Sequence, residues 1–349
     1  MTDFSTKLIQ WHEDKGRKNL PWQKNPNPYK VWISEVMLQQ TQVSTVIPYF
    51  KKFIKTFPNI KKLSESDLDK ILVLWSGLGY YARARNIYKA SQIINNDYGG
   101  KVPNTLKKLM SLPGIGKSTA GAILVFGYKK RSAILDGNVK RVLTRYFKIE
   151  KDLSLTSTTN YLWKISESLI PKHKVDIYTQ SIMDLGATVC TKNNPNCKNC
   201  PINKSCLALQ EGLAQSLPFI RKPKKKPTKK VLWLLPRSPK GDLLMYKRKD
   251  KRLWGELWSF IDLEGEKKEI IEHEVQRRFL VKNPKLKKLN KVKHSFSHYN
   301  LEAIPYLAEL ETKKSYKNAV WVNPKNVKSL ALPGPVKELF ITLQNYENC

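Results

Sequence analysis

Four cysteines crowd into seventeen residues, Cys190, Cys197, Cys200 and Cys206, in the pattern C-x6-C-x2-C-x5-C. No other feature constrains the chain so tightly, because thiols this dense must be joined by disulfides or by a metal. The first residues, Met1-Thr-Asp-Phe-Ser-Thr-Lys, carry neither an apolar signal core nor an Arg/Ser-rich transit pattern, which predicts a cytoplasmic protein. In that compartment the cluster argues for metal. Four thiolates without a His at ligand spacing suit either Zn²⁺ in a structural loop or a [4Fe–4S] cluster, and spacing leaves both open. The fifth cysteine, Cys349, stands apart and reads as a free, exposed thiol.

Charge narrows the class further. Lys and Arg number 63 against 29 Asp and Glu, a net charge of +34. Self-repulsion on this scale weakens a compact state unless a polyanion offsets it, so nucleic acid is the first candidate partner and an anionic membrane surface the second. No apolar run approaches the ~18 residues of a membrane span. With 349 residues, 41% of them apolar, the chain has enough material for two or three ordinary domains.

Apolar residues three and four apart predict helices over Val31–Leu38, Leu68–Trp75, Ile87–Ile94, Tyr161–Ile170 and Ile177–Leu185, with Pro58, Pro103, Pro113 and Pro171 as punctuation. Residues 1–212 therefore read as an all-α domain. A linker over 213–228 follows. The basic run Arg221 to Lys230, which overlaps its end, has seven basic residues in ten and cannot bury a core; it is either a solvated spacer or a phosphate tether. Beyond it, short strands at Val231–Leu235, Asp242–Tyr246 and Trp258–Ile261, a helix at Glu269–Leu280, a strand-like alternation over His294–Ala303 and a closing helix at Pro335–Tyr346 make 229–349 an α+β domain.

Three local patterns carry chemistry. Leu112-Pro-Gly-Ile-Gly-Lys-Ser-Thr-Ala lies between a helix at Asn104–Met110 and an Ala-rich helix. Gly114 and Gly116 permit a tight turn whose N–H groups, with Lys117 and Ser118, could hold a DNA backbone without reading bases; a plain helix connection is the alternative. Asp136-Gly-Asn138 is a turn, and Asp136 is placed to cap the helix that follows. Glu35 sits among apolar residues, where its pKa would rise and fit it to donate a proton, unless it faces water.

In this order the motifs resemble the helix-hairpin-helix DNA glycosylases with an iron–sulfur loop, above all their adenine-specific, MutY-type branch. The resemblance runs through Leu20-Pro-Trp, Glu35-Val-Met-Leu-Gln-Gln, Gly77-Leu-Gly-Tyr-Tyr, the Leu112 hairpin (106–128), Leu135-Asp-Gly-Asn, Met183-Asp-Leu-Gly-Ala, the four cysteines (190–206) and Phe296-Ser-His. It implies a helical glycosylase domain holding a [4Fe–4S] cluster on Cys190, Cys197, Cys200 and Cys206, and a Nudix-like second domain. That domain lacks the carboxylate helix of Nudix hydrolases, which implies base recognition and not hydrolysis.

The resemblance further implies a monomer acting on duplex DNA with adenine opposite 8-oxoguanine or guanine. The base is flipped out while Gln40 and Leu78 fill the stack beside Tyr80. The glycines around Leu78 suggest an exposed loop tip; a core leucine is the plainer alternative. Glu35 would protonate the departing adenine and Asp136 would stabilise or trap the sugar cation, with Tyr80, Ser118 and Asn138 in support. Phe296, Ser297 and His298 would probe the oxidised guanine, the alternative being an ordinary aromatic strand. Lys192, Lys198 and Lys204 on the cysteine loop would lie near phosphate. Ser118 stands where bifunctional relatives carry a Schiff-base Lys; Lys117 is one place off, about 100° around a helix, which implies a monofunctional enzyme. Two other functions remain at this point: a bifunctional endonuclease-III-like or mismatch-thymine glycosylase, and a non-catalytic DNA-binding protein.

Overall fold

The computed structural model describes residues 3–221, 225–249 and 254–347. Part of the basic linker (Lys222–Lys224) and Cys349 lie outside them. The chain divides into two compact units, Met1–Glu65 with Asn86–Pro223, and Ser66–Arg85 with Lys224–Cys349.

Helices run α1 (Asp3–Lys15), α2 (Pro28–Leu38), α3 (Val43–Thr56), α4 (Ile60–Ser64), α5 (Leu68–Trp75), α6 (Ala82–Asp97), α7 (Leu106–Met110), α8 (Lys117–Ala122), α9 (Gly137–Tyr146), α10 (Thr156–Ser168), α11 (Val175–Thr188) and α12 (Leu207–Gln210). Their starts follow local chemistry. Asn27, Asn59, Thr105 and Asp136 each accept a backbone N–H from the first turn of α2, α4, α7 and α9, satisfying donors the helix cannot. The first hairpin helix accordingly begins at Leu106, two residues later than its sequence suggests. A core of the first unit gathers Phe4 and Leu8 of α1, Val142 and Leu143 of α9, Leu162 of α10 and Ile182 and Leu185 of α11.

The second unit is built on a mixed sheet of β1 (Thr228–Arg237), β2 (Leu243–Lys247), β3 (Trp258–Ser259), β4 (Ile261–Glu264), β5 (Leu286–Lys288), β6 (Val292–Ser295), β7 (Asn300–Glu309) and β8 (Ala319–Val322), with α13 (Lys268–Phe279) and α14 (Gly334–Glu347). β1 runs parallel to β7 from Thr228↔Asn300 to Arg237↔Glu309. Side chains alternate across the sheet. Trp233 and Leu235 join Val336, Leu339 and Phe340 of α14 on one face. Leu232 and Leu234 join Ile271, Val275 and Phe279 of α13 on the other. Burial on both faces explains the unbroken apolar run in β1.

The alternation over His294–Ala303 is not one strand. β6 and β7 pair antiparallel from Val292↔Ala303 to Ser295↔Asn300, and Phe296–Tyr299 form the turn, closed by the Phe296 N–H on the Tyr299 carbonyl at 2.9 Å. A tight turn preserves the period of its strands, so pattern alone cannot separate the two. Among the described residues no helix is long and apolar enough to cross a membrane.

Candidate active site and cysteine loop

Glu35 lies on α2, held at its start by Pro28 and the Asn27 cap. Val31, Trp32, Ile33, Val36 and Met37 around it are buried, while Glu35 itself is half-buried. Gly127 lets a wide turn, Ile123–Gly127, close on the helix: a Cβ there would stand 2.7 Å from the Pro28 Cα. Burial, and then the negative charge of Asp136, push the Glu35 carboxyl up to about 8. Two residues 101 apart in sequence thus lie within Coulombic reach of each other.

Asp136 does cap a helix, as its turn sequence suggests. Its Oδ1 accepts the Val139 N–H at 2.7 Å and its Oδ2 accepts from Asn138 Nδ2 at 3.3 Å. Burial raises its pKa, against these donors and the charge of Arg141, which favour the anion. Capping and chemistry do not compete, since the cap fixes the carboxylate and leaves its charge in place. Ser118 reinforces the same loop by accepting the Leu135 N–H at 3.1 Å. Gly121, one turn further on, admits the Ala133 carbonyl, which a Cβ would meet at 2.1 Å. Asn138 Oδ1 accepts from Arg141 Nη2 at 2.9 Å, and Arg141 Nε donates to the Cys190 carbonyl at 2.7 Å. Hydrogen bonds therefore connect Asp136 to the first cysteine. Gly186 on α11 gives Asn138 its room, because a Cβ there would stand 2.6 Å from the Asn138 Cβ.

A cavity of about 260 Å³ opens beside Glu35, an order of magnitude more than one water needs. Trp22, Leu38, Phe126, Ile177 and Met183 supply apolar walls; Glu35, Arg17 and Gln180 supply polar groups. Asp136 is not part of this wall. Asp184 braces it from behind, fully buried. It accepts from Arg17 N and Nε and from Gln180 Nε2, each at 2.8 Å, and His12 stands 3.5 Å away. Burial alone would raise the Asp184 pKa, but bonding from His12 and Arg17 holds it below the usual carboxylate range. Sequence reasoning assigned no role to Arg17, Trp22, Gln180 or Asp184. The available signal was an Asp inside the apolar face of α11, since carboxylates are rarely buried without a partner.

The hairpin places Gly114 at φ +78 against Asn86, where a Cβ would stand 2.8 Å from the Asn86 Cβ. Gly116 faces open space. Lys117 points to α10: its Nζ is 2.8 Å from Glu167 Oε1 and 4.3 Å from the Trp163 ring centroid. Gln40 is exposed with φ +55.

Tyr80 and Leu78 lie in the unit that carries the sheet. Tyr80 is 49% exposed, but Leu78 in the same turn is only 5% exposed, so the turn does not present it to solvent. Its N–H donates to the Trp75 carbonyl at 3.0 Å, and Arg83 Nη2 donates to its carbonyl at 3.1 Å, so the two flanking glycines turn it inward. In the β6–β7 turn, Phe296 packs against Trp254, His294 and Tyr299 at 4.7–5.3 Å between ring centroids. Ser297 and His298 are exposed, and Ser297 Oγ stands 3.2 Å from His298 Nδ1. On α13, Glu274 is occupied by Arg277 and Arg278.

Cys190, Cys197, Cys200 and Cys206 line one cavity with Val142, Leu185 and Ile202. Among the described residues no three His, Cys, Asp or Glu side chains are grouped to hold a single ion. Four thiols spaced around a cavity fit a polynuclear group, which takes its thiolates at separate metal atoms, better than one zinc. Arg145 adds a second sign. It is 2% exposed, donates to Cys190 Sγ at 3.3 Å, and otherwise bonds to carbonyls of Leu217, Thr191 and Lys192. A buried cation needs an anion, and a thiolate-ligated cluster is one. Burial meanwhile pushes the Cys200 thiol up to about 12, a cost that bound metal would remove. Lys192, Lys198 and Lys204 on this loop are exposed.

A family model described as HhH-GPD superfamily base excision DNA repair protein matches residues 33–168, and a NUDIX domain model matches residues 232–342. The chain is 40% identical over 349 residues to the adenine DNA glycosylase of Buchnera aphidicola subsp. Baizongia pistaciae, covering 98% of this chain and 97% of that one. Among solved structures, a thermostable thymine-DNA glycosylase aligns with TM-score 0.55 and 27% identity over 60% of this chain and 95% of that one. A non-covalent endonuclease III–DNA complex aligns with TM-score 0.52 and 22% identity, over 60% of this chain and 95% of that one, a likeness of fold.

Proposed function

Because the chain belongs to the adenine DNA glycosylases of base excision repair, we propose that it removes adenine paired with 8-oxoguanine or guanine, with Glu35 as acid and Asp136 as the anion beside the sugar. The supporting observation is the unequal treatment of two neighbouring carboxyls. Burial raises both carboxyls, but Asp136 is also given N–H donors and a nearby guanidinium that favour its anion, whereas Glu35 is given burial and the repulsion of Asp136. The pair therefore keeps its proton on Glu35 at neutral pH, and environments that separate two pKa values separate the roles of acid and base.

Adenine leaves poorly as an anion, so a proton delivered to the extruded base lowers the barrier. The cavity beside Glu35 is the receptacle, with Gln180 and Arg17 as polar contacts and apolar walls that exclude water. The cation developing on deoxyribose is stabilised by the carboxylate of Asp136, which Asn138 orients. Ser118 fixes the loop carrying Asp136, and Lys117 is engaged by Glu167 and Trp163. Ser118 stands where bifunctional relatives carry the Schiff-base Lys, and Lys117 beside it faces α10, which supports a monofunctional enzyme.

Cys190, Cys197, Cys200 and Cys206 hold a [4Fe–4S] cluster, whose contribution when bound is to order the loop that presents Lys192, Lys198 and Lys204 to phosphate. The exposed Ser297 and His298, with Phe296 behind them, read the base opposite adenine. The hairpin glycines and Gln40 meet the duplex.

Single-turnover excision tests the reading, with iron and sulfide measured in the same sample. Adenine should be released from duplexes bearing A opposite 8-oxoguanine and A opposite G. Release of thymine from T opposite G, with adenine untouched, would overturn it.

A further inference from the structure

The turn Gly77–Tyr80 is held in an unusual shape. Gly77, Gly79 and Tyr80 have φ of 107, 70 and 48, and a tyrosine keeps such a backbone only where its surroundings impose it. Within the turn, Arg83 Nη2 donates to the Leu78 and Gly79 carbonyls at 3.1 and 3.2 Å. Its guanidinium lies 5.4 Å from the Trp75 ring and 5.5 Å from the Tyr80 ring. Trp75 Nε1 donates to the Gly79 carbonyl at 3.1 Å.

The two flanks of the turn are fastened to the sheet-bearing part of the same unit. On the near flank, Asp69 of α5 receives Lys247 of β2, with Nζ 2.7 Å from Oδ1 and 2.9 Å from Oδ2. Glu256 Oε2 stands 3.7 Å from the same ammonium. On the far flank, the buried Tyr81 hydroxyl donates to the Leu332 carbonyl at 2.8 Å, and Arg85 Nη1 donates to the Gly255 carbonyl at 2.9 Å. Between the fastened flanks, Tyr80 keeps its ring half in solvent.

We propose that Lys247 and Tyr81 are positioning residues for base extrusion: the Nudix-like domain holds Asp69 through Lys247 and Tyr81 through the Leu332 carbonyl, and so sets how Tyr80 meets the duplex. The inference rests on the reading above, in which adenine is extruded from the duplex, and adds that Tyr80 of this turn meets the stack the base leaves. A turn belonging to a separate helical domain would present Tyr80 whatever the second domain did. Here the strand that carries Lys247 and the segment that carries Leu332 fix both of its ends. The second domain therefore acts on extrusion as well as on recognition of the opposing base.

The test uses the full chain with four substitutions: Lys247→Glu, Asp69→Lys, the two combined, and Tyr81→Phe. Three quantities are measured on one A:8-oxoguanine duplex: affinity, single-turnover excision, and fluorescence of a 2-aminopurine beside the target adenine, which brightens when the base unstacks. Lys247→Glu faces two carboxylates and should lower both the unstacking signal and excision about fivefold, with affinity changed less than twofold. The charge-swapped pair should recover to within twofold of the parent, which loss of a phosphate contact at Lys247 would not allow. Tyr81→Phe should give about a threefold loss in the same two signals. Parent-like unstacking in both Lys247→Glu and Tyr81→Phe, or a swapped pair no better than the worse single variant, overturns the grip alone. A parent chain that leaves the adenine in place overturns the reading beneath it as well.

Discussion

The two parts of the candidate machinery are built on opposite principles. Glu35 and Asp136 sit on helix starts and helix faces, half-buried, with both pKa values raised by burial and that of Glu35 raised further by the charge of Asp136. The Phe296–Tyr299 turn carries Ser297 and His298 into solvent. Acid chemistry at neutral pH needs a carboxyl removed from water, because desolvation is what retains its proton. Reading a base edge needs donors and acceptors that can reach it. Damage to the first region should therefore change rates by orders of magnitude. Damage to the second should change preference by a few fold.

Glu35→Gln is the sharpest way to break this contrast. It keeps the shape and removes the acid, and excision should fall about 10²–10⁴-fold while duplex affinity is kept. The same change has a pH signature in stability. With its folded pKa raised from an ordinary 4.5 to about 8, Glu35 supports the fold below about 4.5 and loses that support as pH rises through 8. The Gln variant should thus match the parent near pH 4 and exceed it near pH 9 by on the order of 2–4 kcal/mol. Chemical denaturation at the two pH values measures this.

Asp136→Asn follows. An asparagine caps a helix about as well as an aspartate, so thermal unfolding should hardly move while excision falls about 10²–10³-fold. A large drop in stability instead would show that the carboxylate serves the fold and not the reaction. Cys200→Ala should remove iron and sulfide from the purified protein and weaken duplex binding about tenfold, with binding recovered at low salt if the loop works through its lysines. Smallest of all, His298→Ala should cut the preference for 8-oxoguanine over guanine about three- to tenfold, the value of one hydrogen bond, with less than twofold change on A:G duplexes. Equal losses on both duplexes would erase the distinction between the two regions.

What the sequence made legible was local. The cap at Asp136, the apolar setting of Glu35, the cysteine spacing and the alternating strands of the second domain all follow from neighbours a few residues away. What it concealed was made at long range. The cavity wall joins Trp22, Arg17 and Gln180 from segments some 160 residues apart in sequence. Asp184 reads as one residue of an apolar helix until Arg17 is seen against it. Leu78, flanked by two glycines, reads as a loop tip, yet Arg83 and Trp75 draw it inward. The parallel pairing of β1 with β7 leaves no mark on either strand, because register between distant segments is set by packing on both faces and not by pattern. Arg145, a charge inside a core, is explained only by the cysteine sulfur beside it.

The central claim is that the proton of the pair belongs to Glu35. Carbon-13 labelling of Glu and Asp side-chain carboxyls, with Glu35→Gln and Asp136→Asn for assignment, lets both titrate in view of the spectrometer. The account predicts a Glu35 midpoint near 8, with Asp136 ionising at lower pH than Glu35. A Glu35 that titrates near 4.5, or an Asp136 that holds its proton to higher pH than Glu35, would contradict it.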